Sequence, residues 1–339
     1  MDLFIFPESA SLKSGYGIGV DYAYRRLQPK EEDLVVWYTE DKDFPYKRNQ
    51  DIVINRKIPI YKRIINVLKC RPSTELSASD LSFLKGKVFN HIHCDEIIFF
   101  HALRHYYPSQ HIDVRLHNVF ARILERKRIV GLPVDPLFHL ILYLCRKSER
   151  EIFRDKNSRK IFISKEDMDY YTSMFGKTSD AEVWPYIPHV KKEPLWKVNT
   201  EKLVRFGGLD AHKISSVQWF VDEVFLKLKE KHNNLELYLY GRGTERFNDE
   251  KNDIHGRGFY QGNDKWPLRN SLYINPDIIG GGIKLKLMSL LEDGIPFITT
   301  PFGFEGYSPN IADGITCHVV ECEKWFTVIE DIIYGGANE

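Results

Sequence analysis

The chain has 339 residues, 43% of them hydrophobic, and its 48 basic and 47 acidic residues leave a formal charge of +1. This length exceeds one ordinary domain and supplies enough apolar material for two cores, while the balanced charge gives no ground for nucleic acid as the main partner. Five cysteines, at 70, 94, 145, 317 and 322, form no CxxC pair and no metal-ligand spacing, so they read as free thiols of a reduced, cytoplasmic protein.

The opening MDLFIFPES reads as a short apolar strand and lacks the features of a secretory leader. Leu3 to Phe6, Leu34 to Tyr38, Val88 to Ile92, Val114 to Leu116 and Lys160 to Ile163 have the composition of strands. The stretches Asp95 to Tyr107, Val119 to Ile129 and Leu137 to Phe153 read as helices, and the alternation predicts a doubly wound parallel sheet. Pro136 to Cys145, the longest later apolar stretch, is interrupted by His139 and too short to cross a bilayer, so a soluble or peripheral protein is expected. The segment Trp184 to Val198 carries three prolines and neither a helical nor a strand period. It places the domain boundary, giving domains over 1–187 and 188–339. Beyond it the pattern restarts with a strand at Leu203 to Phe206, a Gly207-Gly208 turn, a helix with Val217, Phe220, Val221, Val224, Phe225 and Leu228 on one face, and a strand at Leu235 to Tyr240.

Ligands of open parallel sheets bind beyond the carboxyl ends of the strands, which directs attention to the loops there. After the first strand, SGYGIGVDYAYRRL places Gly15, Gly17 and Gly19 ahead of a helix. Small residues would let backbone amides approach a phosphate or sugar, or the segment is a turn that binds nothing. In INPDIIGGGIKLKLMSLLEDG, Gly280, Gly281 and Gly282 precede a helix expected to bury Ile283, Leu287, Met288 and Leu291 and to carry Lys284 and Lys286 in its first turns. Helix-end amides with one or two ammonium groups suit a diphosphate; the alternative is a solvated lysine face.

The segment GGGIKLKLMSLLEDGIPFITTPFGFEGY, with Gly294, Pro296 and Gly303 to Gly306, resembles the donor-site region of the family 4 glycosyltransferases. The likeness extends through FGGLDAHK, LELYLYGRG and IHGRGFYQ, and more loosely through the Gly15 to Gly19 loop, HIHCDE, VRLHN and FISKEDMDYYTSMFG. The resemblance implies a GT-B fold, two Rossmann-like α/β domains facing a central cleft, and assigns residues 1–187 to the acceptor and 188–339 to the donor. It implies that Lys213 binds diphosphate, that Gly258 sits at the donor site, and that His117 lies near the reacting sugar, with His93 on the cleft wall. A strand-end packing role is the alternative for His117. Gly15, Tyr16 and Gly17 fall on the acceptor side.

Two carboxylates of the family pattern are missing. The positions of its Glu-x7-Glu pair fall on Gly281 and Ser289, and losing the second removes an acceptor for the ribose hydroxyls. Glu305, and less directly Glu292, are the candidates to replace it.

The resemblance further implies sugar transfer from a nucleotide-sugar donor to a glycan or lipid-linked acceptor with retention of configuration. Lys213, Lys286 and the glycine amides would stabilise the departing diphosphate without a metal or other cofactor, and closure of the domains would exclude water. Arg122, Arg126, Lys127 and Arg128, near PLFHLILYLC, would suit an anionic membrane surface or would simply be a solvated helix face. Two other classes stay open: a catalytically silent nucleotide-sugar-binding module, and a sugar-nucleotide epimerase on the same fold.

Overall fold

A computed structural model describes residues 1–9, 15–41, 44–55, 57–69, 73–131, 133–134, 136–177, 180–209, 211–311 and 316–335, without the side chains of residues 15, 16, 211 and 212. The chain divides into two compact units, residues 1–125 with 134–186, and residues 126–133 with 187–339.

The first unit is built on seven parallel strands, β1 (Leu3–Phe6), β2 (Leu34–Tyr38), β3 (Ile52–Ile54), β4 (Ile92–Cys94), β5 (Ile112–Leu116), β6 (Ser158–Phe162) and β7 (Ala181–Val183), in the order β3-β2-β1-β4-β5-β6-β7. The side-chain period of two assigns each strand to both faces. Leu3, Ile5, Val36 and Tyr38 enter one core, whereas Phe4, Phe6, Val35 and Trp37 enter another with Val20 and Ala23 of helix α1 (Gly15–Leu27). The remaining helices are α2 (Ile60–Leu68), α3 (Phe100–Tyr106), α4 (Phe120–Ile129), α5 (Phe138–Arg154) and α6 (Lys165–Phe175). Ser164 caps α6 by accepting from the Asp167 amide at 3.2 Å.

The second unit repeats the topology with six parallel strands, β8 (Lys202–Phe206), β9 (Glu236–Tyr240), β10 (Ile254–Gly258), β11 (Leu272–Asn275), β12 (Phe297–Thr299) and β13 (Cys317–Val319), in the order β10-β9-β8-β11-β12-β13. Helix α7 (Ala211–Phe220) runs through a π-helical turn, Val221–Phe225, into α8 (Leu226–Lys231), and the apolar residues expected on one face, Val217, Phe220, Val221, Val224, Phe225 and Leu228, are all in the core. Helices α9 (Leu285–Asp293) and α10 (Trp325–Tyr334) complete the unit. Gly294 ends α9 in the left-handed conformation, φ 70°, where a Cβ would also lie 2.5 Å from the Glu193 carbonyl. The proline-rich segment is thus packed, with Lys191 N bonded to Leu291 O at 3.0 Å and the Trp196 indole to Ser271 O at 3.0 Å.

Several expectations need correction. Gly15, Gly17 and Gly19 are inside α1 and do not form a loop ahead of it. The strand expected at Val88 to Ile92 forms at Ile92–Cys94, because pairing with β1 begins at Ile92 and Val88 is exposed. The helix expected from Asp95 starts with a 3-10 turn at Ile97–Phe99. Helix α9 begins at Leu285, so Gly280 to Gly282, Ile283 and Lys284 precede it; Leu287 and Leu291 are buried, and Met288 only partly.

Candidate functional site

Each unit carries a buried polar cluster beyond the carboxyl ends of its strands, beside the point where the strand order reverses, between β1 and β4 and between β8 and β11.

In the second unit the cluster is built around Asp277, two residues past β11 and fully buried. Its Oδ2 lies 2.9 Å from Nζ of Lys286, in the first turn of α9. Arg205, a buried arginine near the end of β8, and Lys213 on α7 add two further cations. Burial disfavours charge on Asp277, yet Lys286, Arg205 and Lys213 outweigh it and hold the carboxyl well below the usual carboxylate range. Burial pushes the Lys286 ammonium down to about 7; Asp277 opposes the shift, and Arg205 and Lys213 reinforce it. Three cations thus act on one buried carboxylate, which concentrates positive charge beyond the carboxyl ends of the strands. Lys286 keeps 23% of its side chain exposed and lies on the wall of a small recess shared with Phe206, Trp266, Tyr273 and Asn275.

The glycine loop flanks this cluster. Gly280 and Gly282 have φ of 146° and 58°, the positive range that side chains disfavour. Lys284 turns its ammonium inward, onto the Gly282 carbonyl at 2.9 Å and over the Phe302 ring at 4.4 Å. The turn after β12 packs on the same loop: the Tyr307 hydroxyl donates to the Lys284 carbonyl at 3.0 Å, and Gly306 abuts Ile283. Glu305 is half-buried in that turn, and Ser289 is half-buried on α9 one turn beyond Lys286. Gly258 ends the edge strand β10, where its carbonyl accepts from Gly241 N at 2.6 Å and its amide donates to Thr244 Oγ1 at 3.0 Å.

In the first unit Asp95, just past β4, is fully buried between Arg115 and His117 of the β5 end. Arg115 Nη1 donates to Asp95 Oδ1 at 2.8 Å, and His117 Nε2 lies 3.0 Å from Asp95 Oδ2. An ionised carboxylate only accepts, so His117 Nε2 is the donor in this contact. Burial opposes ionisation of Asp95, but Arg115 and His117 hold its pKa far below the usual range. Arg115 also donates to Tyr186 and, at 3.2 Å, to the Gly19 carbonyl, which accepts from Tyr186 at 3.3 Å as well. Gly19 has a packing reason to be glycine: a Cβ there would come within 2.8 Å of the Tyr186 hydroxyl and 3.2 Å of His117 Cε1. His93 stacks on Trp184 with ring centroids 5.8 Å apart and planes 3° apart, and burial lowers its pKa.

The structure therefore groups Lys213 with Lys286, and His117 with His93, as neighbours of one carboxylate in each unit. The side chain of Tyr16 lies outside the described residues, and Gly15 and Gly17 are helical. Asp277, Arg205, Asp95, Arg115 and Tyr186 were not singled out by sequence reasoning. Arg115 and His117 alternate at i and i+2, one on β5 and one just past it, a spacing that sequence shows and that directs both to the same face. Of the basic group on α4, Arg122 is committed to Asp167 at 2.8 Å. Cys94, Cys145, Cys317 and Cys322 form no disulfide among the described residues, and Cys70 lies outside them.

No family model matches the sequence, and no curated protein sequence matches it. Solved structures do match the fold. WaaG, a glycosyltransferase involved in lipopolysaccharide biosynthesis, superposes with a TM-score of 0.59 at 12% identity, over 98% of this chain and 90% of that one. An α,α-trehalose-phosphate synthase (UDP-forming) from Burkholderia vietnamiensis gives 0.58 at 11% identity, over 98% and 89%. The E. coli trehalose-6-phosphate protein bound with UDP-2-fluoro glucose gives 0.56 at 13%, over 98% and 91%. The chain has the GT-B fold of these glycosyltransferases.

Proposed function

We propose that this chain is a hexosyltransferase-type glycosyltransferase that takes a sugar from a nucleotide-sugar donor and passes it to a saccharide or lipid-linked acceptor. The donor diphosphate is assigned to the second unit, at Lys286, Lys213, Arg205 and the amides of Gly280 to Gly282. The acceptor is assigned to the first unit, near His117. The gathering of Lys286, Arg205 and Lys213 around Asp277, beside the switch point of the second sheet, is the observation that carries this reading. Clustered cations suit the charge of a diphosphate, and the flanking glycines let backbone approach it closely.

In the proposed reaction the acceptor oxygen bonds to the anomeric carbon as the bond from that carbon to the diphosphate breaks. The hydroxyl proton passes to the departing phosphate oxygen on the same face, so configuration is retained and no protein nucleophile forms a bond. The cations stabilise the charge that builds on the diphosphate, the role a metal ion takes in other transferases. Glu305, in the turn packed on the glycine loop, is the carboxylate assigned to the ribose in place of the one missing at Ser289.

A thermal-shift screen of nucleoside diphosphates and nucleotide sugars tests the reading, followed by nucleotide release with the best donor. A ligand-induced rise in the melting midpoint that disappears in Lys286→Ala, together with slow release of nucleotide, is the expected result. The absence of carboxylates at Gly281 and Ser289 favours a second reading, a silent binding module. Saturable binding with no turnover across acceptors would select it, and no binding of any nucleotide would remove both.

A further inference from the structure

Helix α2 is turned inside out. Its half-buried residues are the polar ones: Lys62 pairs with Asp80 at 3.0 Å, and the Asn66 side-chain amide donates to the carbonyls of Ser73 at 3.3 Å and Glu75 at 2.8 Å. No residue of the helix is fully buried, and its apolar side chains face outward, with Ile60 75%, Tyr61 59%, Ile64 55%, Ile65 44%, Val67 41% and Leu68 77% exposed. At about 100° per residue these six cover an arc of roughly 160° on the side away from Asn66. Folding in water places such a stripe against a core, so polar anchoring that holds it outward calls for an occupant.

The charge around the stripe selects that occupant. Residues 52–74 contain six lysines and arginines and no aspartate or glutamate. Lys57, Arg63 and Lys69 are exposed, and Arg63 and Lys69 flank the apolar arc on either side. A second copy of this chain would bring the same cations against each other across a two-fold interface. A helix of nine residues also offers far less than the roughly 800 Å² per partner of a standard interface. A bilayer containing anionic lipid meets both demands: the acyl boundary takes the apolar side chains, and headgroup phosphates take the flanking cations. Among the described residues no helix is long and apolar enough to cross a membrane, so the contact would be superficial.

We infer that α2 seats the first unit on an anionic membrane surface. The inference does not depend on the glycosyltransferase reading. Co-sedimentation of the full chain with phosphatidylcholine vesicles, alone or mixed with phosphatidylglycerol, tests it. The wild type should pellet with the mixed vesicles and not with phosphatidylcholine alone. The double variant Ile64→Glu with Leu68→Glu should bind at least about tenfold more weakly, and Arg63→Gln and Lys69→Gln about fivefold each. Since the substituted side chains are exposed, each variant should keep the wild-type circular dichroism and melting midpoint. Failure of the wild type to bind mixed vesicles overturns the proposal, as does undiminished binding by the double variant. Concentration-dependent dimerisation that the double variant abolishes overturns it in favour of a second copy.

Discussion

Lys286 and Asp277 meet at 2.9 Å from the two ends of one glycine loop, the carboxylate just after β11 and the ammonium in the first turn of α9. The loop that would cradle a diphosphate is thus tied across its two ends by this ion pair. Because burial brings Lys286 down to about 7, the free protein holds it largely neutral in mildly alkaline solution. An anion favours the charged form, so binding above that pH takes up a proton. Affinity for a nucleoside diphosphate should therefore fall as pH rises above 7, by up to about tenfold per unit until the ligand-bound pKa is reached. Calorimetry near about pH 8 in two buffers of different ionisation enthalpy should show uptake approaching one proton. Uptake indistinguishable from zero would exclude Lys286 as the phosphate ligand.

Asp277→Asn removes the carboxylate and leaves Lys286, Arg205 and Lys213 facing one another. Breaking a buried pair from one side costs about 3–5 kcal/mol, and the loss should sit near the lower end because Lys286 can release its proton. Denaturant titration measures this. Saturating nucleoside diphosphate should restore part of the stability, since its charge substitutes for Asp277.

At Gly19 two effects oppose each other. Alanine improves helix propensity by about 1 kcal/mol. Its Cβ, however, would come 2.8 Å from the Tyr186 hydroxyl, which is buried and bonded to Arg115, so it cannot swing aside freely. Overpacking of this kind costs about 1–3 kcal/mol and should win. Gly19→Ala is expected to lower the melting midpoint by about 2 °C or more; an unchanged or raised midpoint would show that the contact between the helix and Tyr186 is loose.

His117→Ala separates the two units' assigned tasks. Transfer should fall about a hundredfold or more if the imidazole acts on the reacting groups, while nucleotide affinity, assigned to the second unit, stays within about twofold, a change of roughly 0.4 kcal/mol. Equal losses in both would mark His117 as a packing residue.

The fold was legible wherever apolar periodicity was undiluted. β1, β2, β8 and β9, and the α7–α8 face, lie close to where their sequences place them. Sequence reading failed where function or exposure broke the pattern. β4 ends in His93 and Cys94 with Asp95 just past it, so the strand that leads into the first polar cluster has the least strand-like composition. The edge strands β3 and β7 are three residues each and half exposed, too short to show a period. Helix α2 has strong amphipathicity, but its sense is reversed, which composition does not reveal. The site residues divide similarly. Lys286 follows a glycine triplet, a local signal, and Lys213 falls where the family resemblance puts a diphosphate-binding lysine, whereas Asp277 and Asp95 matter only because the fold brings cations to them from other elements.

Asp95 provides the sharpest test of the first cluster. Its carboxyl is held far below the ordinary value of 3.8 by Arg115 and His117 against the opposing effect of burial, so the stability it contributes is complete above that value and is lost only as pH falls below it. Neutral-pH stability should accordingly be flat with respect to this group, and the network should open in acid. Asp95→Asn removes the charge while keeping the shape, and leaves the fully buried Arg115 guanidinium without its carboxylate. The expected cost is about 3–5 kcal/mol, most of it the penalty of an uncompensated buried charge. Adding Arg115→Met to Asp95→Asn should then recover part of that loss, because the double variant buries no lone charge. Denaturant midpoints of the two single variants and the double variant complete the cycle. If the double variant is as unstable as the sum of the singles, the two residues are not coupled and the cluster is held by packing alone.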